Sequence, residues 1–285
     1  MSIVLQNVSY TYRSDGNNVT QALSDINLEI HEGEFLAIVG HTGSGKSTLI
    51  QLLNGLERAT QGQIFFQGKD IYSKDFSMKE LRCKVGMVFQ YPENQLFEAT
   101  VIKDVEFGPR NMGQDMLQME LNSFQALKDV GIGEELLDAS VLALSGGQKR
   151  RVAIAGVLAM QPEFLVLDEP MAGLDPVGRR EIFALLQKLH RERGITIVFV
   201  SHSMEDAAEY ADRVVVMNQG KIVLDGPPRK IFRYEKELEQ IGLGVPQATR
   251  LVHRLAEQGA QIEKDCLTVE ESATTILNWL QGSEE

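Results

Sequence analysis

The stretch FLAIVGHTGSGKST, from Phe35 to Thr48, constrains this chain more than any other segment. An apolar run enters a turn carrying Gly40, Gly43 and Gly45, and Lys46 follows at once. Glycine supplies backbone conformations and close approaches that a Cβ would block, so such a turn can wrap its N–H groups around an anion. TLIQLLNGL, which follows, has helical spacing, and a helix beginning there aims the positive end of its dipole at the same anion. Strand, glycine-rich turn, lysine, hydroxyl and helix in this order complete the phosphate-loop pattern GxxxxGK[ST]. The pattern predicts a nucleoside-triphosphate site in which Gly40, His41, Thr42, Gly43, Ser44 and Gly45 form the cradle. Lys46 then reaches the β- and γ-phosphates, Ser47 offers its hydroxyl to Mg²⁺, and Thr48 bonds a further phosphate oxygen.

Composition narrows the class. With 285 residues, 43% of them hydrophobic, the chain has material for one large domain or two small ones. Its 28 basic and 40 acidic residues give a net charge of −12, which argues against nucleic acid as the main partner. Cys83 and Cys266 lie far apart in no metal-binding spacing, so idle thiols in a reducing compartment are expected. No apolar run approaches the ~18 residues of a membrane span, and MSIVLQNVSY lacks the basic flank and apolar run of a signal peptide. The chain is therefore expected to stay in the cytoplasm.

Hydropathy patterning predicts an α/β fold. DINLEI alternates, with Ile26, Leu28 and Ile30 on one face, and QIFFQG at 63–68 forms another short strand of an antiparallel N-terminal sheet. RSDGNNVTQ at 13–21 is a polar loop between strands. FLAIV at 35–39, FLVL at 164–167, ITIVFV at 195–200 and VVVM at 214–217 are continuously apolar, as strands of a parallel sheet covered on both faces are. EIFALLQKLHRERG at 181–194 is a helix closing on basic residues and glycine. Residues from about 91 to 160 form a mostly helical insertion. Beyond the break at DGPPRK, the tail PQATRLVHRLAEQG places Ala248, Leu251, Val252, Leu255 and Ala256 on one helical stripe.

Two further segments carry chemistry. FLVLDEP at 164–170 presents adjacent carboxylates at a strand's C-terminal end, where open α/β sheets bind ligands. Asp168 suits a metal ligand, and Glu169 suits the general base that activates water. LSGGQKRR at 144–151 opens a second helix with Ser145, Gly146 and Gly147, a second group of exposed amides and a hydroxyl for phosphate. Lys149, Arg150 and Arg151 in its first turn oppose the dipole, so a nearby anion is expected to offset them.

Taken together, these motifs resemble those of the ATP-binding-cassette ATPases over about residues 1–226, in the family's order. Gly40 to Thr48 matches Walker A, Gln90 the glutamine loop, Leu144 to Gln148 the signature, and Phe164 to Glu169 Walker B. Ala172 to Asp175 matches the D-loop, His202 the switch histidine, and Tyr12 the adenine-stacking aromatic, with Tyr10 two residues away. The resemblance implies an ABC nucleotide-binding domain: a mostly parallel RecA-like core, an N-terminal antiparallel β subdomain, an inserted helical subdomain, and a helical C-terminal extension over 227–285. It implies ATP and Mg²⁺ as cofactors. Glu169, His202, Gln90 and Lys46 are then the catalytic residues, and Ser47, Gln90 and Asp168 the metal site. Ser145, Gly146, Gly147, Gln148 and Asp175 add nucleotide contacts, the signature acting on the ATP of a head-to-tail partner.

A narrower resemblance lies in FQYPENQLFEATVIKDVEFGPRN, 89–111, and EQIGLGVPQATRLVHRLAEQG, which are similar to the ATPases of energy-coupling-factor transporters. DEPMAGLDPVGR resembles the second of their two ATPase subunits more than the first. This implies a peripheral ATPase on the cytoplasmic face of the cell membrane, powering uptake of vitamins or transition-metal ions. Its implied partners are a second ABC ATPase, as a heterodimer or a homodimer, an integral coupling subunit and a substrate-binding membrane subunit. Glu93 and Glu98, just past Gln90, are expected to meet basic residues of the membrane partner. The competing class is a soluble cassette ATPase acting on nucleic acid or ribosomes. Against it stand the single Walker A motif, the acidic balance, and the mere 55 positions from Gln90 to Ser145.

Overall fold

The computed structural model describes residues 2–13 and 19–282. Two sheets organise it. The first is antiparallel, built from β1 (Ser2–Arg13), β2 (Val19–His31), β4 (Gln61–Phe66) and β5 (Lys69–Asp70) in the order β2-β1-β4-β5. Ile26, Leu28 and Ile30 of β2 are all buried, as the alternation of DINLEI requires. Of the loop expected at 13–21, residues 14–18 lie outside the described residues, whereas Arg13 ends β1 and residues 19–21 begin β2.

The second sheet has six strands in the order β10-β9-β3-β8-β7-β6. These are β3 (Phe35–Val39), β6 (Val85–Val88), β7 (Phe164–Asp168), β8 (Thr196–Ser201), β9 (Arg213–Asn218) and β10 (Lys221–Gly226). All pairs are parallel except β9 with β10. Helices and the first sheet cover its two faces, dividing the core into two apolar clusters. Phe35, Leu165 and Phe199 face one, and Leu36, Val166 and Val200 the other. That two-sided burial is why the central strands read as unbroken apolar runs.

α1 (Lys46–Leu53) follows β3, and α2 (Met78–Lys84) precedes β6. Between β6 and β7 stand α3 (Val101–Met112), α4 (Met116–Asp129) and α5 (Gly146–Leu158), with a 3-10 turn at Pro92–Gln95. α6 (Pro176–Arg193) ends at Gly194, whose φ of 66° and N–H bond to the His190 carbonyl close it as its sequence predicts. α7 (Met204–Tyr210) leads to β9, and α8 (Pro228–Ile231), α9 (Glu235–Gln240), α10 (Gln247–Glu257) and α11 (Val269–Gly282) follow β10. The stripe expected on α10 is rotated. Ala248, Thr249 and Val252 are its buried residues, whereas Leu251 stands 48% exposed, because Thr249 turns inward to donate to the Cys266 carbonyl at 2.6 Å.

Candidate active site

Strand order assembles the site. β3, β8, β7 and β6 lie side by side and parallel, so the loops at their C-terminal ends open on one edge. β3 delivers the phosphate loop, β8 delivers His202, β7 delivers Asp168 and Glu169, and β6 delivers Gln90. Four segments remote in sequence thereby meet. Tyr12, Thr42, Gly43, Gly45, Lys46, Ser47, Thr48, Gln90, Glu169 and His202 all line a cleft of about 490 Å³, together with Thr20, Gln21 and Ala22 of β2.

The three glycines of the loop serve different needs. A Cβ on Gly40 would stand 2.5 Å from the Met217 carbonyl oxygen, and one on Gly45 would stand 2.6 Å from that of Ala22. Gly43 has open space around it but a φ of +81°, so there backbone conformation selects glycine. Gly45 is also the N-cap of α1 and, having no side chain, leaves the helix's first amides open to a ligand. Lys46 is 5% exposed and donates to the carbonyls of Gly40 at 2.7 Å and His41 at 3.0 Å. Burial pushes its ammonium pKa down, against the opposing charges of Glu169 and Asp168. His41 braces the loop from outside through Nε2, 2.9 Å from Asn218 Oδ1. Thr48 is buried and its Oγ1 lies 3.1 Å from the Tyr12 hydroxyl. Tyr12 is 40% exposed at the cleft, while Tyr10, edge-on to it, is buried and hydrogen-bonded to Glu57.

Glu169 is held from two sides. Gln90 Nε2 donates to Oε2 at 3.2 Å, and His202 Nε2 lies 2.6 Å from Oε1. Its backbone sits at φ 48°, a left-handed conformation that a glutamate adopts at a cost. Asp168 differs. Burial pushes its carboxyl pKa up, a hydrogen bond from Ser47 lowers it, and its buried Oδ1 has no hydrogen-bond partner among the described residues. A cation would satisfy that oxygen, and the neighbouring Ser47 hydroxyl is of the right chemistry to share it.

The signature residues lie elsewhere. Ser145, Gly146 and Gly147 are exposed at the start of α5, and none of them lines the cleft. Ser145 and Gln148 form a reciprocal capping box: Ser145 Oγ accepts from the Gln148 amide at 3.3 Å, and Gln148 Oε1 accepts from the Ser145 amide at 2.9 Å. Asp175 is likewise outside the cleft, capping α6 by accepting from the Gly178 amide at 2.7 Å.

The acids past Gln90 need correction. Glu93, expected to face a membrane partner, takes a two-pronged ion pair from Arg150, Nε to Oε2 at 2.9 Å and Nη2 to Oε1 at 2.8 Å. Burial raises its pKa, but the bonds from Arg150 and from its own backbone prevail and hold it below the usual carboxylate range. Glu98 lies 3.9 Å from Arg110. The anions expected beside the arginines of α5 are thus internal, since Arg151 is 3.2 Å from Glu181. Sequence reasoning missed the burial of Arg150. Its signal is helical spacing, because positions 150, 154 and 158 form one buried stripe of α5.

The sequence model of the family described as ABC transporter matches residues 23–172. An energy-coupling factor transporter ATP-binding protein EcfA2 from Caldanaerobacter subterraneus subsp. tengcongensis is 51% identical over 283 residues, 99% of each chain. The EcfA2 protein of Streptococcus pyogenes is 52% identical over 273 residues, 95% of this chain and 97% of the relative. Among solved structures, cbiO1 from Clostridium perfringens, described as part of the ABC transporter complex cbiONQ, superposes with a TM-score of 0.74 at 42% identity, covering 89% of this chain and 98% of that one. A dimeric ATP-binding cassette bound to ADP and Pi in a post-hydrolysis state superposes at 0.68 with 31% identity, covering 79% and 98%. With the phosphate loop, the paired acids and His202 on one sheet edge, the chain belongs to the ABC transporter ATPases, among the energy-coupling factor ATP-binding proteins of the EcfA2 type.

Proposed function

We propose that this chain is the nucleotide-hydrolysing engine of an energy-coupling-factor importer, bound to the cytoplasmic face of the membrane. Residues 1–226 form its ATPase domain, the helical subdomain at about 91–160 meets the membrane subunits, and 227–285 form an extension. Among the described residues no helix is long and apolar enough to cross a membrane, so transport requires integral partners. We assign it a second ABC ATPase, an integral coupling subunit and a substrate-binding subunit, with a vitamin or a transition-metal ion as cargo.

The observation that carries the reading is the clamp on Glu169. A carboxylate fixed between Gln90 and His202 at a phosphate-loop cleft supports the reading in which Glu169 takes a proton from water attacking the terminal phosphate. His202 orients it and can hold charge beside it. Lys46 swings from the loop carbonyls to the phosphates, which accept its proton-rich end more strongly than neutral oxygens do. Tyr12 offers an exposed ring for the base. Ser47, Asp168 and Gln90 would hold Mg²⁺, which when bound neutralises phosphate charge. The exposed, self-capped α5 terminus supports a composite site, in which Ser145, Gly146 and Gly147 bond the nucleotide of the partner ATPase. Asp175 lies on the D-loop that such a dimer would bury.

The test is reconstitution in vesicles. Purification from membranes should bring down a second ATPase and integral subunits, and the complex should take up cargo only with MgATP. Uptake unaffected by Glu169→Gln in this chain, in a complex whose other ATPase also carries its equivalent change, would remove the assignment.

A further inference from the structure

Arg150 is one of the few charged side chains buried in this protein, its side chain 3% exposed. Besides the fork on Glu93, its Nη1 donates to the Pro170 carbonyl at 3.1 Å and its Nη2 to the Ala172 carbonyl at 3.0 Å. The two chain segments leading away from the Glu169 carboxylate therefore meet on one guanidinium. Along one, Gln90 bonds Glu169 and Glu93 follows three residues later. Along the other, Pro170 follows Glu169 directly and Ala172 stands three residues on. The guanidinium belongs to α5, five residues beyond Ser145, so the signature end of α5 is fastened to the surroundings of this chain's own general base.

A pair this buried is a poor device for stability, since apolar residues of similar volume often serve as well. It is a good device for geometry, because a planar fork with four hydrogen bonds fixes direction as well as distance. We infer that Arg150 is the positioning residue through which the state of this chain's nucleotide cleft sets the placement of Ser145–Gly147, and hence hydrolysis at the partner's site. The inference rests on the composite-site reading above.

Two substitutions test it. Arg150→Lys keeps the charge and loses the fork, and Glu93→Gln keeps the shape and loses half the pairing, so either serves if the other does not fold. Deuterium exchange of the full-length chain is followed with and without MgATP at the phosphate loop, 43–48, and at the signature, 144–150. The phosphate-loop response should persist while the signature response disappears. In the assembled complex kcat should fall about 10- to 100-fold, the scale of small misplacements at a reacting centre, with KM for ATP unchanged. A signature response that survives in the variants overturns the inference. So does loss of both responses, or a KM that rises as kcat falls, since Arg150 would then be supporting its own cleft. Ser145→Arg separates the two levels: if it leaves turnover intact the composite site itself is wrong, and if it stops turnover while Arg150→Lys retains the signature response only the positioning role fails.

Discussion

Around the phosphate loop two buried side-chain oxygens lack a protein partner among the described residues, while at the start of the signature helix the capping side chains satisfy one another. Asp168 Oδ1 and Ser44 Oγ are buried with no hydrogen bond among the described residues, Lys46 is desolvated, and Glu169 sits at positive φ. Ser145 and Gln148, by contrast, cap each other, and Arg150 and Arg151 each have a carboxylate, although Arg151 Nε is itself buried without a partner among the described residues. An unsatisfied buried group costs roughly 1–3 kcal/mol, so the first region gains when a polyanion and its cation arrive. At the second, the Ser145–Gln148 cap and the Arg150 fork are already complete. Its exposed amides and hydroxyl are free to meet a second molecule, as the proposed composite site requires.

The largest way to break that contrast is chemical. Glu169→Gln should lower turnover about 10²–10⁴-fold, the usual range of general-base catalysis, with MgATP binding retained. Steady-state hydrolysis by the assembled complex and equilibrium binding to the isolated chain measure the two effects, and a loss of binding equal to the loss of turnover would make Glu169 a ligand-holding residue. Next in size is Ser145→Arg, whose bulk on an exposed face should hold the two ATPases apart. Turnover should fall by about 10²-fold or more while the isolated chain binds nucleotide as before. Binding lost in the isolated chain would mean that the signature serves its own cleft.

Lys46→Ala probes the other half. One charge-assisted contact to phosphate is worth ~1.5–3 kcal/mol, so nucleotide affinity should fall about 10- to 100-fold in the isolated chain. Titration with a fluorescent ATP analogue reads this directly, and unchanged affinity would show that the backbone amides alone hold the phosphates.

How much of this was readable beforehand follows from what each feature needs. The four interior strands carry their signal in themselves, because burial on both faces requires continuous apolar residues. β6 escaped as VGMV: it is four residues long and includes Gly86, where α5 crosses so closely that a Cβ would meet Val157 Cγ1 at 2.5 Å. β10 escaped because it is an edge strand of alternating exposure. The phosphate loop, the acid pair and the signature were legible as local chemistry, each motif holding its own parts. The clamp of Gln90 and His202 on Glu169 follows only from strand order, and the Glu93–Arg150 pair joins residues 57 apart that no spacing rule connects. Acidic residues after Gln90 read naturally as a solvated, partner-facing loop. Nothing local in the sequence marks one of them as already paired with a buried arginine.

The smallest expected effect sharpens the comparison most directly. Burial raises the Asp168 carboxyl above its ordinary pKa, a hydrogen bond from Ser47 notwithstanding, so its charged form is penalised in the folded state relative to the unfolded chain. Below the unfolded pKa of about 3.9 the group is protonated in both states and no penalty exists. The penalty builds as pH rises from the unfolded pKa and is complete above the folded pKa. Asp168→Asn should therefore raise the melting temperature of the nucleotide-free chain at pH 7. The gain should vanish on acidification. The same substitution should abolish the additional stabilisation that MgATP gives over ATP with chelator. Calorimetry at two pH values, with and without MgATP, measures all of this. A variant less stable than the parent at neutral pH would show that Asp168 is held for the fold, and that the phosphate-loop half is as internally complete as the signature half.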